Sequence, residues 1–149
     1  MQPFQPAEFG DEGLRHEVNV FVYRYGTAGP EYLLLHPHPR QDAIWRPVVG
    51  TVDLDEDLRH AALRRVRAET GLEQAWDLVL PAAGLVEDLG DLRLVEWPFG
   101  CEARPGWPGP RGHASLAAWD WVVFDQALTI LGRSLHRQNL LQLHLRLAA

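Results

Sequence analysis

The sequence predicts an α+β or α/β sandwich, a covered sheet interrupted by one amphipathic helix and closed by helices at the C-terminus. Three observations carry that reading. Residues 17–25 are apolar on both faces, with Val18, Val20 and Val22 on one and Phe21, Tyr23 and Tyr25 on the other, the pattern of a strand covered on both sides. Residues 57–70 place Leu58, Ala61, Ala62 and Val66 at helical spacing. Residues 119–124 are again apolar on both faces, and helical patterns come after them. Strands before and after a central helix, with further helices at the end, pack as layers around one core.

Each element follows from local chemistry. Residues 1–13 mix Pro, Gly and acids and form a loose lead-in. The strand over residues 17–25 turns at residues 26–30 into a second strand at 32–36, making a hairpin. Pro37, Pro39 and Pro47 interrupt the next stretch of chain, and residues 45–49 lead into Gly50. In the helix over 57–70, Asp57 suits the N-cap, the acidic approach suits the helix dipole, and Gly71 supplies the C-cap. Residues 78–86 and 92–97 read as strands, and the Gly- and Pro-rich stretch 99–112 as a long irregular loop. After the strand at 119–124, Asp125 is placed to cap a short helix that runs to Leu131 and breaks at Gly132. A last helix starts near Ser134, with Leu140, Leu143 and Leu147 on one face and Leu141 and Leu145 widening it. There is no internal repeat and no linker, so residues 1–149 are expected to form one domain.

Composition narrows the function. With 149 residues, 46% hydrophobic and 23% charged, the chain has the make-up of an ordinary globular domain rather than a disordered one. Its uncharged runs are too short to span a bilayer, and the first residues lack the basic start and apolar run of an export signal. Cys101 is the only cysteine, which rules out an internal disulfide and fits a reducing, cytoplasmic setting. The net charge of −6, with Arg as the only strongly basic residue type, argues against a general nucleic-acid binder. A small anionic substrate remains compatible where cations are focused locally or a metal bridges the charges.

The chemistry-bearing segment is residues 50–72. Gly50 is followed after five residues by Glu56, and after seven more by Arg64; Arg65, Val66, Arg67, Ala68, Glu69, Thr70, Gly71 and Leu72 complete it. This arrangement resembles the Nudix box, which reads Gly, five residues, Glu, seven residues, Arg-Glu-U-x-Glu-Glu-x-Gly-U, with U bulky and aliphatic. The spacing agrees without insertion. Gly50, Glu56, Arg64, Val66, Glu69, Gly71 and Leu72 match, while Arg65 and Ala68 stand at two positions that are acidic in the family. The lead-in Trp45-Arg46-Pro47-Val48-Val49-Gly50 resembles the family's Trp-x-x-Pro-Gly-Gly, with Val49 in place of the first Gly. The hairpin before it, and the strand and helix after residue 119, occupy the family's positions, so the resemblance covers most of the chain.

That resemblance implies a Nudix-type α/β/α sandwich, with a mixed central sheet, the box helix on one side and C-terminal helices. It also implies hydrolysis of a nucleoside diphosphate linked to another moiety, by water that Mg²⁺ or Mn²⁺ helps to activate. Hard oxygen ligands have to converge for this, and a helix aligns them at i, i+3 and i+4; here those positions are Arg65, Ala68 and Glu69. By the same resemblance the catalytic set is Glu69, Glu56 and Arg64, the metal ligands are Glu69 and Glu56, and the partner is a small nucleotide, with a homodimer common in the family. Arg46, Arg65 and His113 are the expected substrate contacts. Arg104 and Arg111 are further candidates for phosphates, and Trp97, Phe99 and Trp107 are candidates either for stacking on a base or for packing under the long loop. The acidic group Asp53, Asp55 and Glu56 reads equally as a solvated helix start. Arg65 and Glu69, four residues apart on one helix, are placed to bridge each other. No acid lies between Ala103 and Trp119, where many family members carry a further glutamate. Two functions therefore stand side by side: a hydrolase with a reduced metal site, and a catalytically silent Nudix domain that binds a nucleotide or a protein.

Overall fold

A computed structural model describes residues 13–37, 44–110 and 116–148. Two long strands organise the chain: β1 (Leu14–Gly26) and β6 (Leu92–Ala103) pair in parallel from Leu14↔Arg93 to Tyr23↔Glu102. Each carries two shorter strands along its other edge. β1 pairs antiparallel with β3 (Val48–Thr51) near its start and with β2 (Gly29–Pro37) near its end. β6 pairs antiparallel with β5 (Leu85–Leu89) and then with β4 (Ala75–Val79). Strand β7 (Leu116–Val123) extends the sheet from β2. Among the described residues the result is one mixed seven-stranded sheet.

Helices cover both faces, as the two-sided strand patterns predict. On one face α1 (Leu58–Thr70) sets Ala61, Ala62 and Val66 against Val18, Val20, Val22, Val48 and Phe99. On the other, α2 (Phe124–Ile130) and α3 (Ser134–Ala148) pack Ala127, Leu140 and Leu143 against Phe21, Tyr23, Tyr32 and Leu34. Alternation along β1 sends its valines to one core and its aromatics to the other. Tyr25, at the strand's end, is exposed. On α3, Leu147 is partly buried, whereas Leu141 and Leu145 face outward.

Three expectations change. Residues 78–86 do not form one strand: β4 ends at Val79 and β5 begins at Leu85, with Pro81 and Gly84 in the crossing between them. The strand at 92–97 runs on to Ala103, through the start of the stretch that reads as a loop. Pro98 is tolerated there because it falls where the antiparallel neighbour changes from β5, whose pairing ends at Glu96, to β4, whose pairing starts at Gly100. Finally, α2 is not capped by Asp125. Val123 is its N-cap without a side-chain hydrogen bond, and Asp125 lies in the first turn.

The α3 face of the sheet also holds a buried polar group. Glu96 and His136 are almost fully buried, and Arg133 donates to both Glu96 (3.1 Å) and Glu87 (2.6 Å). Asn139 donates to Asn19 at 2.7 Å. His136 Nε2 stands 3.8 Å from Glu96 Oε1, and neither atom has a hydrogen-bond partner among the described residues. Burial, with the Arg133 and Arg46 cations adding to it, pushes the His136 imidazole down to about 3. Burial, reinforced by Glu17 and opposed by Arg133, raises the Glu96 carboxyl.

Candidate functional site

The segment from β3 into α1 is built around two glutamates with separate duties. Asp57 caps α1 by accepting from the His60 amide at 2.7 Å, and Gly71 closes it in the left-handed conformation (φ 79°) with its N–H on the Arg67 carbonyl. These are the cap residues expected from the sequence. Before the helix, Glu56 is turned inward, its side chain only 7% exposed. It accepts from Arg64 Nε (2.7 Å), Arg64 Nη2 (3.0 Å) and the Asp53 amide (2.9 Å), with His60 Nδ1 at 2.6 Å. Arg64 also donates to the Thr51 carbonyl at 3.0 Å. These bonds, Arg64's foremost, hold the Glu56 carboxyl down at about 2. The pair ties the end of β3 to the second turn of α1.

Glu69 sits on a different face of the helix with different partners. Arg46 grips it end-on, Nη1 to Oε1 at 3.0 Å and Nη2 to Oε2 at 3.1 Å. Arg65 Nη2 approaches Oε2 at 3.3 Å, the i, i+4 bridge anticipated from the spacing, and the Val49 amide reaches Oε1 at 3.4 Å. Both arginines are also tied to the main chain: Arg46 Nη1 to Pro47 O at 2.9 Å, Arg65 Nε to Val49 O at 3.3 Å. The stem of Arg65 lies across Gly50, where any Cβ would come within 2.4–2.5 Å of it. The first box glycine is thus a seat for Arg65. Its φ is not in the left-handed region, so contact alone demands the missing side chain. Two guanidinium groups and one carboxylate leave a local charge of +1, half-shielded from solvent with side-chain exposures of 17%, 29% and 14% for Arg46, Arg65 and Glu69.

The other candidates scatter. The Asp53 carboxylate is largely exposed and stands 3.6 Å from Arg64. Arg104 lines a separate groove of about 540 Å³ beside Arg24, Tyr25, Glu102 and Trp107. Phe99 and Trp107 pack in the core, the packing alternative of the sequence reading, with Trp107 also bordering that groove. Trp97 is part of β6 and donates to His16 at 2.9 Å. Glu96 belongs to the α3 face, across the sheet from the box helix. Arg111 and His113 lie outside the described residues. No sequence signal pointed to the grip of Arg46 on Glu69, because they stand 23 positions apart with β3 and most of α1 between them.

A family model for the NUDIX domain matches residues 15–142. The chain belongs to the NUDIX family. Its fold is shared by solved structures of low sequence identity. A C. elegans Ap4A hydrolase in a binary complex superposes with a TM-score of 0.73 at 20% identity, over 90% of this chain and 98% of that one. A NUDIX hydrolase of Listeria monocytogenes gives 0.74 at 16% identity, over 89% and 94%. The NUDIX domain of Shewanella oneidensis NrtR, complexed with ADP-ribose, gives 0.72 at 18% identity, over 97% and 99%. No curated protein sequence matches the chain.

The divalent ion that Nudix chemistry uses needs several carboxylate oxygens converging from one side. Among the described residues the donor set does not supply them. Glu56 and Glu69 share no partner, and the four carboxylate oxygens are all engaged by side-chain or main-chain donors. Arg65 and Ala68 fill the two remaining helix positions. At about 4 Å and an effective dielectric near 20, unit charges interact by about 4 kcal/mol, so a divalent ion beside Glu69 meets roughly twice that repulsion from each guanidinium. The described residues of the box do not fit the metal.

Proposed function

We propose that this chain is a Nudix domain that binds the diphosphate of a nucleoside diphosphate derivative through Arg46 and Arg65, without metal-dependent hydrolysis. The observation that carries this reading is the double arginine grip on Glu69. An arginine fork that fits a carboxylate in two parallel hydrogen bonds fits a phosphate equally well. Where a hydrolase of the family gathers negative charge to hold a cation, this site has a surplus positive charge suited to an anion. The nucleotides named for two of the structural relatives, Ap4A and ADP-ribose, agree with that ligand class.

The hydrolase reading has family membership behind it and predicts the reverse, so one experiment separates the two. Calorimetric titration with ADP-ribose in EDTA is expected to give saturable binding. Arg65→Ala is expected to weaken it about tenfold or more, since a hydrogen bond to a charged group contributes about 1.5–3 kcal/mol. Added Mg²⁺ or Mn²⁺ is expected to release neither phosphate nor nucleotide from ADP-ribose or Ap4A. Metal-dependent turnover abolished by Glu69→Gln would establish a hydrolase instead. The double change Arg65→Glu with Ala68→Glu, which restores three acids to one helix face, is expected to create Mn²⁺ binding that the natural chain lacks.

A further inference from the structure

We infer that Glu69 is an internal occupant of the anion site: its carboxylate holds Arg46 and Arg65 in the geometry that an incoming diphosphate takes over, and the ligand binds by displacing it. This rests on the proposed binding of a diphosphate and assigns Glu69 a role opposite in sign to that of a metal ligand.

The arrangement of supports decides which group moves. Neither the bond of Arg46 to Pro47 O, nor the bond of Arg65 to Val49 O and its seat on Gly50, involves Glu69. The two cations are therefore positioned by the main chain at and just before β3. Glu69, in contrast, is held at its carboxylate by those same two cations and by one long contact from the Val49 amide, 3.4 Å. It lies in the last turn of α1, and rotating its side chain away breaks none of the bonds that fix either arginine to the main chain. A carboxylate brings one negative charge against two guanidinium groups, whereas a diphosphate brings more charge and more acceptor oxygens to the same forks. The exchange replaces an incomplete neutralisation with a fuller one. An empty pair of arginines at this degree of burial would repel each other across the gap, so the glutamate also keeps the unliganded site folded.

Inorganic pyrophosphate in EDTA is the probe, titrated into wild type, Glu69→Gln, Glu69→Asp, Arg65→Ala and the double variant Glu69→Gln/Arg65→Ala. Removing the competing charge is expected to tighten pyrophosphate binding by about fivefold or more in Glu69→Gln. The gain should disappear in the double variant. Glu69→Asp, charged but too short to reach both forks, is expected to fall between wild type and Glu69→Gln. Melting curves supply a second readout: Glu69→Gln should melt below wild type without anion and recover more than wild type does when pyrophosphate is added. If Arg65→Ala loses binding while neither Glu69→Gln nor Glu69→Asp binds more tightly than wild type, the displacement is wrong and the binding reading survives. Absence of binding in wild type and in both Glu69 variants would overturn the two together.

Discussion

At the scale of single residues, the two box glutamates differ only in their neighbours, and the difference is large. Glu56 is enclosed by Arg64, His60 and the Asp53 amide, and it joins strand to helix. Replacing it with Gln leaves Arg64 only the exposed, more distant Asp53 carboxylate as counterion and is expected to cost about 2–3 kcal/mol, read from chemical denaturation. The sign of its pH dependence comes from the lowered carboxyl. Its contribution is complete above the unfolded value of 4.5 and is lost as pH falls towards about 2. A wild-type melting temperature that is flat from pH 4.5 to 2, or a Glu56→Gln variant with the same acid limb, would contradict this. Gly50 has a comparable local logic, because its missing Cβ is the space that Arg65 occupies.

At the scale of elements, α3 is docked by more than its leucines. Its Arg133 flank and His136 place charge and an imidazole over Glu96 in a buried setting. The His136 imidazole stays neutral in the folded chain down to about 3, whereas the unfolded chain binds that proton at 6.5. The unfolded state is thus the better proton binder between these values, and stability falls as pH drops through that window, by about 1.4 kcal/mol per pH unit at full effect. Glu96 works in the opposite sense. Its raised carboxyl takes up a proton in the folded state first, which favours folding as pH falls towards 4.5. Comparing wild type with His136→Gln isolates the histidine: the variant is expected to lose less stability between pH 6.5 and 4.5. Parallel slopes for the two proteins would show that His136 does not titrate this way.

At the scale of the whole molecule, the sheet carries both cores, and β6 is an interior strand between β1 and the β4/β5 edge. Cys101 lies on that strand, fully buried and paired between β1 and β4, and burial pushes its thiol up to about 12. A thiol reagent is therefore expected to label the native protein only through opening of the sheet. Labelling rates should track global unfolding across a denaturant series, and fast native-state labelling would show that the β4 edge opens independently. Among the described residues, no helix is long and apolar enough to cross a membrane.

Much of this was legible in the chain itself. The two-sided pattern of β1, the caps Asp57 and Gly71, and the box spacing from Gly50 to Leu72 are local signals, because strand alternation, helix capping and helical spacing act over a few residues. The Arg65–Glu69 bridge was legible for the same reason. The extent of β6 was not, since Pro98 and Gly100 read as loop residues until two different partner strands meet on either side of them. Nor was the choice between packing and stacking for Trp107 and Phe99, or the side of the sheet that Glu96 faces. The site itself turned on Arg46, which reaches Glu69 only because β3 lies alongside β1 under the box helix. Sequence alone identified a Nudix box short of two carboxylates. Tertiary structure decided what the remaining one holds, because the charge beside a buried group is set by whatever the fold brings to it.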